Sequence, residues 1–170
     1  APSSSRMLAG YLTDVEQLIE TQRWDAALCE AYDLPLIAVA LTDPTLHSSG
    51  ERQKNWCEQW IRPEETDDGD EAALDYERVR RVVCEHIETE DTAAPKSIPA
   101  KALRRLRLRR HVRAAPSGLG HDSAPSRDST TSETAQICTA LVDAARRWYA
   151  RSACHDTTVQ ANLARLAVLR

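Results

Sequence analysis

The chain has 170 residues, enough for one domain with a sizeable core. Hydrophobic residues make up 42% and charged residues 28%, ordinary globular values that exclude a fibrous or disordered chain. No run of about eighteen apolar residues occurs, so no membrane span is expected, and a net charge of −4 selects no partner by itself.

Phe is absent and aromatics are scarce, so the core must come from Leu, Ala, Val and Ile, which suit close helix packing. Residues 1–6 begin Ala1-Pro2-Ser3-Ser4-Ser5, without the charged and apolar regions of a signal peptide; they read as a flexible arm before a domain over 7–170. Leu8, Tyr11, Leu12, Val15, Leu18 and Ile19 then recur at helical spacing and predict a first helix. Thr21-Gln22-Arg23 reads as a short connection to a second helix, whose apolar side is Trp24, Ala27, Leu28, Ala31 and Tyr32. The stretch Arg23-Trp24-Asp25-Ala26-Ala27-Leu28, with Ala31 and Leu34-Pro35, resembles the second half of a tetratricopeptide repeat. In that family an aromatic and small alanines let two helices pack closely. The pattern does not recur at a period near 34, and solenoids need several repeats, so the expectation is an αα-hairpin.

Leu34 to Leu41 is an apolar run read as a buried helix, with Asp33 as a candidate cap, Pro35 in the first turn and Asp43-Pro44 ending it. Ser48 and Glu51 fit a capping box opening a fourth helix through Trp56, Cys57, Trp60 and Ile61, which Pro63 stops. Residues 64–70 form an acidic loop. A fifth helix is expected over Glu71–Glu88, with Leu74, Val79, Val82, Val83 and Ile87 as its apolar side, and a sixth over Pro99–Arg113. Residues 116–131 are rich in Ser, Gly, Pro and Asp and read as a flexible loop. Thr130 and Glu133 offer another capping box for a seventh helix reaching Cys154, and Val159, Leu163, Leu166 and Ala167 mark an eighth. The expected fold is therefore an all-α bundle of six to eight helices in one domain, beginning with an αα-hairpin.

Five cysteines, an odd number without a Cys-x-x-Cys, argue against a disulfide framework and for a reducing, cytoplasmic compartment. Cys84-x-His86 and Cys154-His155 lack the knuckle of a structural zinc site. Residues 64–75 fit a calcium loop poorly, so no metal or cofactor is expected. The Ser, His and Asp residues of 117–129 form no nucleophile motif. Trp56 and Trp60, one turn apart, read as core anchors, with a partner groove as the alternative.

The charge distribution is the strongest hint. Residues 61–95 hold twelve acids and four bases; residues 96–115 hold eight bases and no acid. Arg outnumbers Lys nineteen to three, as a GC-rich bacterial genome or a demand for planar bidentate donors would give. Lys101, Arg104, Arg105, Arg107, Arg109, Arg110 and Arg113 lie on one predicted helix whose apolar seam is narrow, so most of them face solvent, a partner or acidic residues 64–77 of the same chain. Arg104 or Arg105 with His111 resembles the Arg-x4–6-His signature of HEPN ribonucleases, which implies a phosphate-steadying Arg and a proton-transferring His. The polar residue usual after that Arg is missing here. The expectation is a non-enzymatic adaptor binding an acidic protein partner through the basic helix. A nucleic-acid-binding regulator and a HEPN-like ribonuclease are the alternatives.

Overall fold

The computed structural model describes residues 2–63, 75–90, 94–107 and 129–168. The described residues are all-α apart from one very short ribbon. Helix α1 spans Pro2–Glu20, α2 Trp24–Tyr32, α3 Leu34–Leu41, α4 Gly50–Trp60 and α5 Tyr76–Glu90. Helix α6 spans Ala100–Arg107, α7 Ser129–Arg151 and α8 Thr157–Val168, the last two joined through a 3-10 turn at Ala153–His155. Strands β1, His47–Ser48, and β2, Lys96–Ser97, pair antiparallel, His47 opposite Ser97 and Ser48 opposite Lys96.

The longest helix, α7, packs against α1, α2, α3, α4 and α5. Ile137, Cys138, Leu141, Val142, Ala144, Ala145 and Trp148 are buried along it, and its small alanines allow close approach of neighbouring backbones. α1 turns Leu8, Tyr11, Leu12 and Val15 into the core, the face that its periodicity predicts. α3 has no polar face, and all its residues except Leu36 are buried. That explains why an apolar run too short to distinguish helix from strand by pattern folds as a central helix. Trp56 is buried edge-on against Trp148, centroids 6.3 Å apart, as a core anchor should be, while Trp60 is half-buried.

The helix ends show how tertiary groups replace missing intrahelical partners. Asn162 of α8 donates to the carbonyls of Leu41 and Asp43 at 2.9 Å each, closing the end of α3. Arg147 of α7 donates to Trp60 and Arg62 carbonyls at 2.6 and 2.7 Å, and Arg80 of α5 to the Ile61 carbonyl at 2.7 Å, closing the end of α4. Asp156 caps α8 by accepting from the Thr158 and Val159 amides at 2.8 and 3.1 Å.

Several sequence expectations change. α1 begins at Pro2, so the backbone read as an arm is helical. The N-cap of α4 is Ser49, whose Oγ accepts from the Arg52 amide at 3.3 Å; Ser48 belongs to β1. Asp33 does not cap α3 with its side chain but continues the helical backbone from α2. The ribbon was not foreseen, because two-residue strands carry no periodicity. It delays α6 to Ala100. Cys154 lies in the 3-10 turn and not in α7. The acidic loop 64–70, residues 71–74 and most of the loop at 116–131 lie outside the described residues.

Candidate functional site

Helix α6 is the element on which the basic residues fall. Ala102 and Leu106 are its buried positions, one turn apart, and they face α1. At 100° per residue, Lys101 and Arg104 fall on the other side, and both are exposed. Arg105 lies between the two faces, at the flank that meets α2.

There its guanidinium is engaged. Arg105 Nη1 lies 2.5 Å from Glu30 Oε2 and 3.8 Å from Asp14 Oδ2. The Glu30 side chain is only 4% exposed, which makes this a charge taken out of water and held by a counter-charge. The Tyr11 hydroxyl donates to the Glu30 carbonyl at 2.8 Å. Burial holds the Tyr11 hydroxyl well above its usual pKa, with Asp33 and Glu30 adding to the effect. Burial also pushes the Asp33 carboxyl up to about 6, against the opposing pull of Arg105 and Lys101. One arginine thus pairs with carboxylates brought together from α1 and α2, beside the buried Asp33 carboxyl of the α2–α3 junction.

Of the acidic segment expected beside the basic helix, residues 64–74 lie outside the described residues, and neither Asp75 nor Glu77 is among the ion-pair partners of Arg105. Among the described residues of that segment, Asp75 accepts from the Arg78 amide at 3.1 Å at the start of α5, and Glu77 is exposed. Arg107 is half-buried on α6. Arg109, Arg110, Arg113 and His111, with the Arg–His spacing they complete, lie outside the described residues. The sequence carries a signal for Glu30 that went unread. Ala27, Glu30, Ala31 and Leu34 share one helical row, and an acid in an otherwise apolar row requires a base opposite it.

At the foot of α6 a cleft of about 310 Å³ opens between the α2–α3 junction, the last turns of α5 and the ribbon. Tyr32, Asp33, Gln53, His86, Lys96 and Pro99 are among its walls. The His86 imidazole stacks on the Tyr32 ring at 3.9 Å and 6°. Burial lowers the His86 pKa and so favours the neutral ring. Gln53 Nε2 donates to Ser48 Oγ at 3.0 Å, and Lys96 Nζ donates to the Glu90 carbonyl. These bonds tie the ribbon to α4 and α5 and fix the rim.

No protein-family model, curated protein or solved structure matches the chain. The site is therefore read from its geometry alone. Among the described residues no three His, Cys, Asp or Glu side chains converge to hold a metal ion. Cys84 and His86, two apart on α5, cannot share a helix face. His86 stacks on Tyr32. No helix of the described chain is long and apolar enough to cross a membrane.

Proposed function

We propose that the protein is a non-enzymatic interaction module that takes an acidic protein partner on the outward face of α6. The observation that carries this reading is the division of labour on one helix. Arg105 is turned to Glu30 and Asp14, while Lys101 and Arg104, on the same two turns, remain exposed. Docking of α6 by Ala102, Leu106 and the ion-paired Arg105 leaves Lys101 and Arg104 outward. The sequence continues the block through Arg109, Arg110 and Arg113 with no acid between. Such a surface attracts acidic chains over a Debye length and gains specificity from a nearby apolar anchor point. The cleft beside Pro99 supplies that point, with Tyr32, Leu36 and Ile87 in its walls. Asp33 and Glu90 in the same walls repel a partner's acids and so fix its register.

The chain's net charge of −4 favours a short acidic peptide over nucleic acid, because an extended phosphate backbone reaches past the basic helix onto the repelling remainder of the surface. Fluorescence anisotropy with a labelled Asp/Glu-rich peptide, run beside labelled RNA and DNA at two salt concentrations, tests the reading. Peptide binding that weakens with salt and falls at least about tenfold in a Lys101→Glu, Arg104→Glu variant supports it. Binding of RNA or DNA but not peptide replaces it with the nucleic-acid reading, and cleavage of the RNA with the nuclease reading. No binding at low salt leaves the basic helix without the proposed role.

A further inference from the structure

The polar groups in the walls of the cleft at the foot of α6 are unequally committed. Gln53 is only 5% exposed, and its amide nitrogen donates to Ser48 Oγ, which leaves the amide oxygen to accept. Asp33 is half-buried and caps no helix with its side chain. Among the described residues its carboxylate meets no hydrogen-bond donor and no ion-pair partner, and the same holds for the exposed carboxylate of Glu90. Lys96 is the cation of these walls, and its Nζ donates to the Glu90 carbonyl. Lys101 and Arg105 act on Asp33 from α6 but are not in the walls. The cleft thus sets two carboxylates and an amide oxygen against one ammonium.

We infer that this cleft is a binding site for a guanidinium group carried on a short alkyl chain. An alkylguanidinium brings N–H donors in a planar fork and no acceptor, the complement of walls whose uncommitted groups accept. Tyr32 and His86, stacked at 3.9 Å and 6°, form an aromatic wall on which a flat cation packs. Leu36, Ile87 and Pro99 give apolar surface to the alkyl stem. A volume of about 310 Å³ suits a ligand of that size. Asp33, half-buried and without a bonded partner, gains more from a cation than a fully solvated carboxylate would. An anion meets two carboxylates there, and an ammonium lacks the planar fork.

Two carriers present this chemistry: a free small guanidine, or the arginine side chain of a bound peptide. The second gives the acidic partner of α6 a basic anchor beside its acids. The site itself does not rest on the α6 reading, because neither Lys101 nor Arg104 is in its walls.

An NMR titration of the full chain at pH 7 with n-butylguanidinium, n-butylammonium and n-butyrate tests this. The readout is the His86 imidazole resonances, identified by their loss in a His86→Phe variant. Butylguanidinium should give a saturable shift with a Kd on the order of a millimolar, butylammonium should bind several-fold more weakly, and butyrate should not bind. Asp33→Asn should weaken butylguanidinium by about tenfold or more and Glu90→Gln by about threefold. Asp25→Asn, exposed on α2, should leave it unchanged. No saturable shift with butylguanidinium, or equal binding of butylammonium or butyrate, would overturn the proposal. So would unchanged affinity in a folded Asp33→Asn variant; if that variant fails to fold, unchanged affinity in Glu90→Gln decides against the site in its place. An Asp/Glu-rich peptide with one central arginine, compared with its norleucine counterpart, separates the carriers. Affinity lost with the arginine makes the peptide partner the carrier. Equal affinities, with butylguanidinium still bound, make the carrier a free small molecule. No peptide binding beside bound butylguanidinium does the same and overturns the α6 reading alone.

Discussion

Helices α6 and α7 dock on the same bundle by opposite means. α7 buries a continuous apolar side that includes Leu141, Ala144 and Trp148. α6 buries only Ala102 and Leu106 and is completed by the Arg105–Glu30 contact. A helix with a wide apolar side is located by area, and its polar residues are free to vary. A helix with two apolar anchors is located by a single charge, and that charge must meet a specific counter-charge. The difference explains how basic residues can crowd onto one stretch of chain while, among the described ones, Arg105 is turned to Glu30 and Asp14 and both Lys101 and Arg104 stay exposed.

The largest effect should come from the apolar side. Leu141→Ala is expected to cost about 2–5 kcal/mol in urea unfolding, since Leu141 is fully buried and its neighbours cannot collapse into the space. A loss below about 1 kcal/mol would mean that α7 is not the column of the bundle.

The next effect sharpens the α6 side. Arg105→Ala removes the guanidinium that faces the buried Glu30 carboxylate and should cost about 2 kcal/mol. That is less than a fully buried pair would cost, because the arginine side chain is 37% exposed. Adding Glu30→Gln should recover much of the loss, and a double-mutant cycle measures the coupling. Independent, additive losses would separate the two residues. Asn162→Ala should cost about 1–2 kcal/mol by leaving the Leu41 and Asp43 carbonyls without their donor, again by urea unfolding.

Much of the bundle was legible in the sequence, because helices announce themselves through apolar spacing. Leu8 to Val15 and Val159 to Leu166 fall on the faces that their periodicity predicts. Ribbon residues His47, Ser48, Lys96 and Ser97 left no such trace, since two residues cannot show a period of two. The basic block was legible, and the acidic run 64–74 expected beside it lies outside the described residues, whereas the partners of Arg105, Glu30 and Asp14, come from helices that only the fold brings alongside. Charge pattern gives attraction without address. Asp33 reads as a candidate cap and Cys84-x-His86 as lacking a metal knuckle, and the cleft that Asp33 and His86 share depends on the close packing of α2, α5 and the ribbon.

A smaller effect concerns pH. Asp33 holds a proton up to about pH 6 in the folded chain, whereas its ordinary value is 3.8. The folded state binds that proton more tightly than the unfolded chain, so this residue's contribution to stability falls as pH rises from about 4 to about 6 and is least favourable above that range. Asp33→Asn should remove the slope and make the protein more stable at pH 7, by an amount on the order of 1 kcal/mol after solvent screening, with no gain near pH 4. Unfolding midpoints measured across that range check it, and a gain that grows toward acid would have the wrong sign.

The most direct test of the two-faced helix compares Arg104→Ala with Arg105→Ala in thermal unfolding under one condition. The residues are adjacent, identical and equally basic, so only their direction differs. The melting temperature should fall by roughly 4–8 °C for Arg105→Ala and by no more than about 1 °C for Arg104→Ala. Equal shifts in the two variants, or the larger one in Arg104→Ala, would contradict the assignment of Arg105 as the internal anchor and Arg104 as the outward residue.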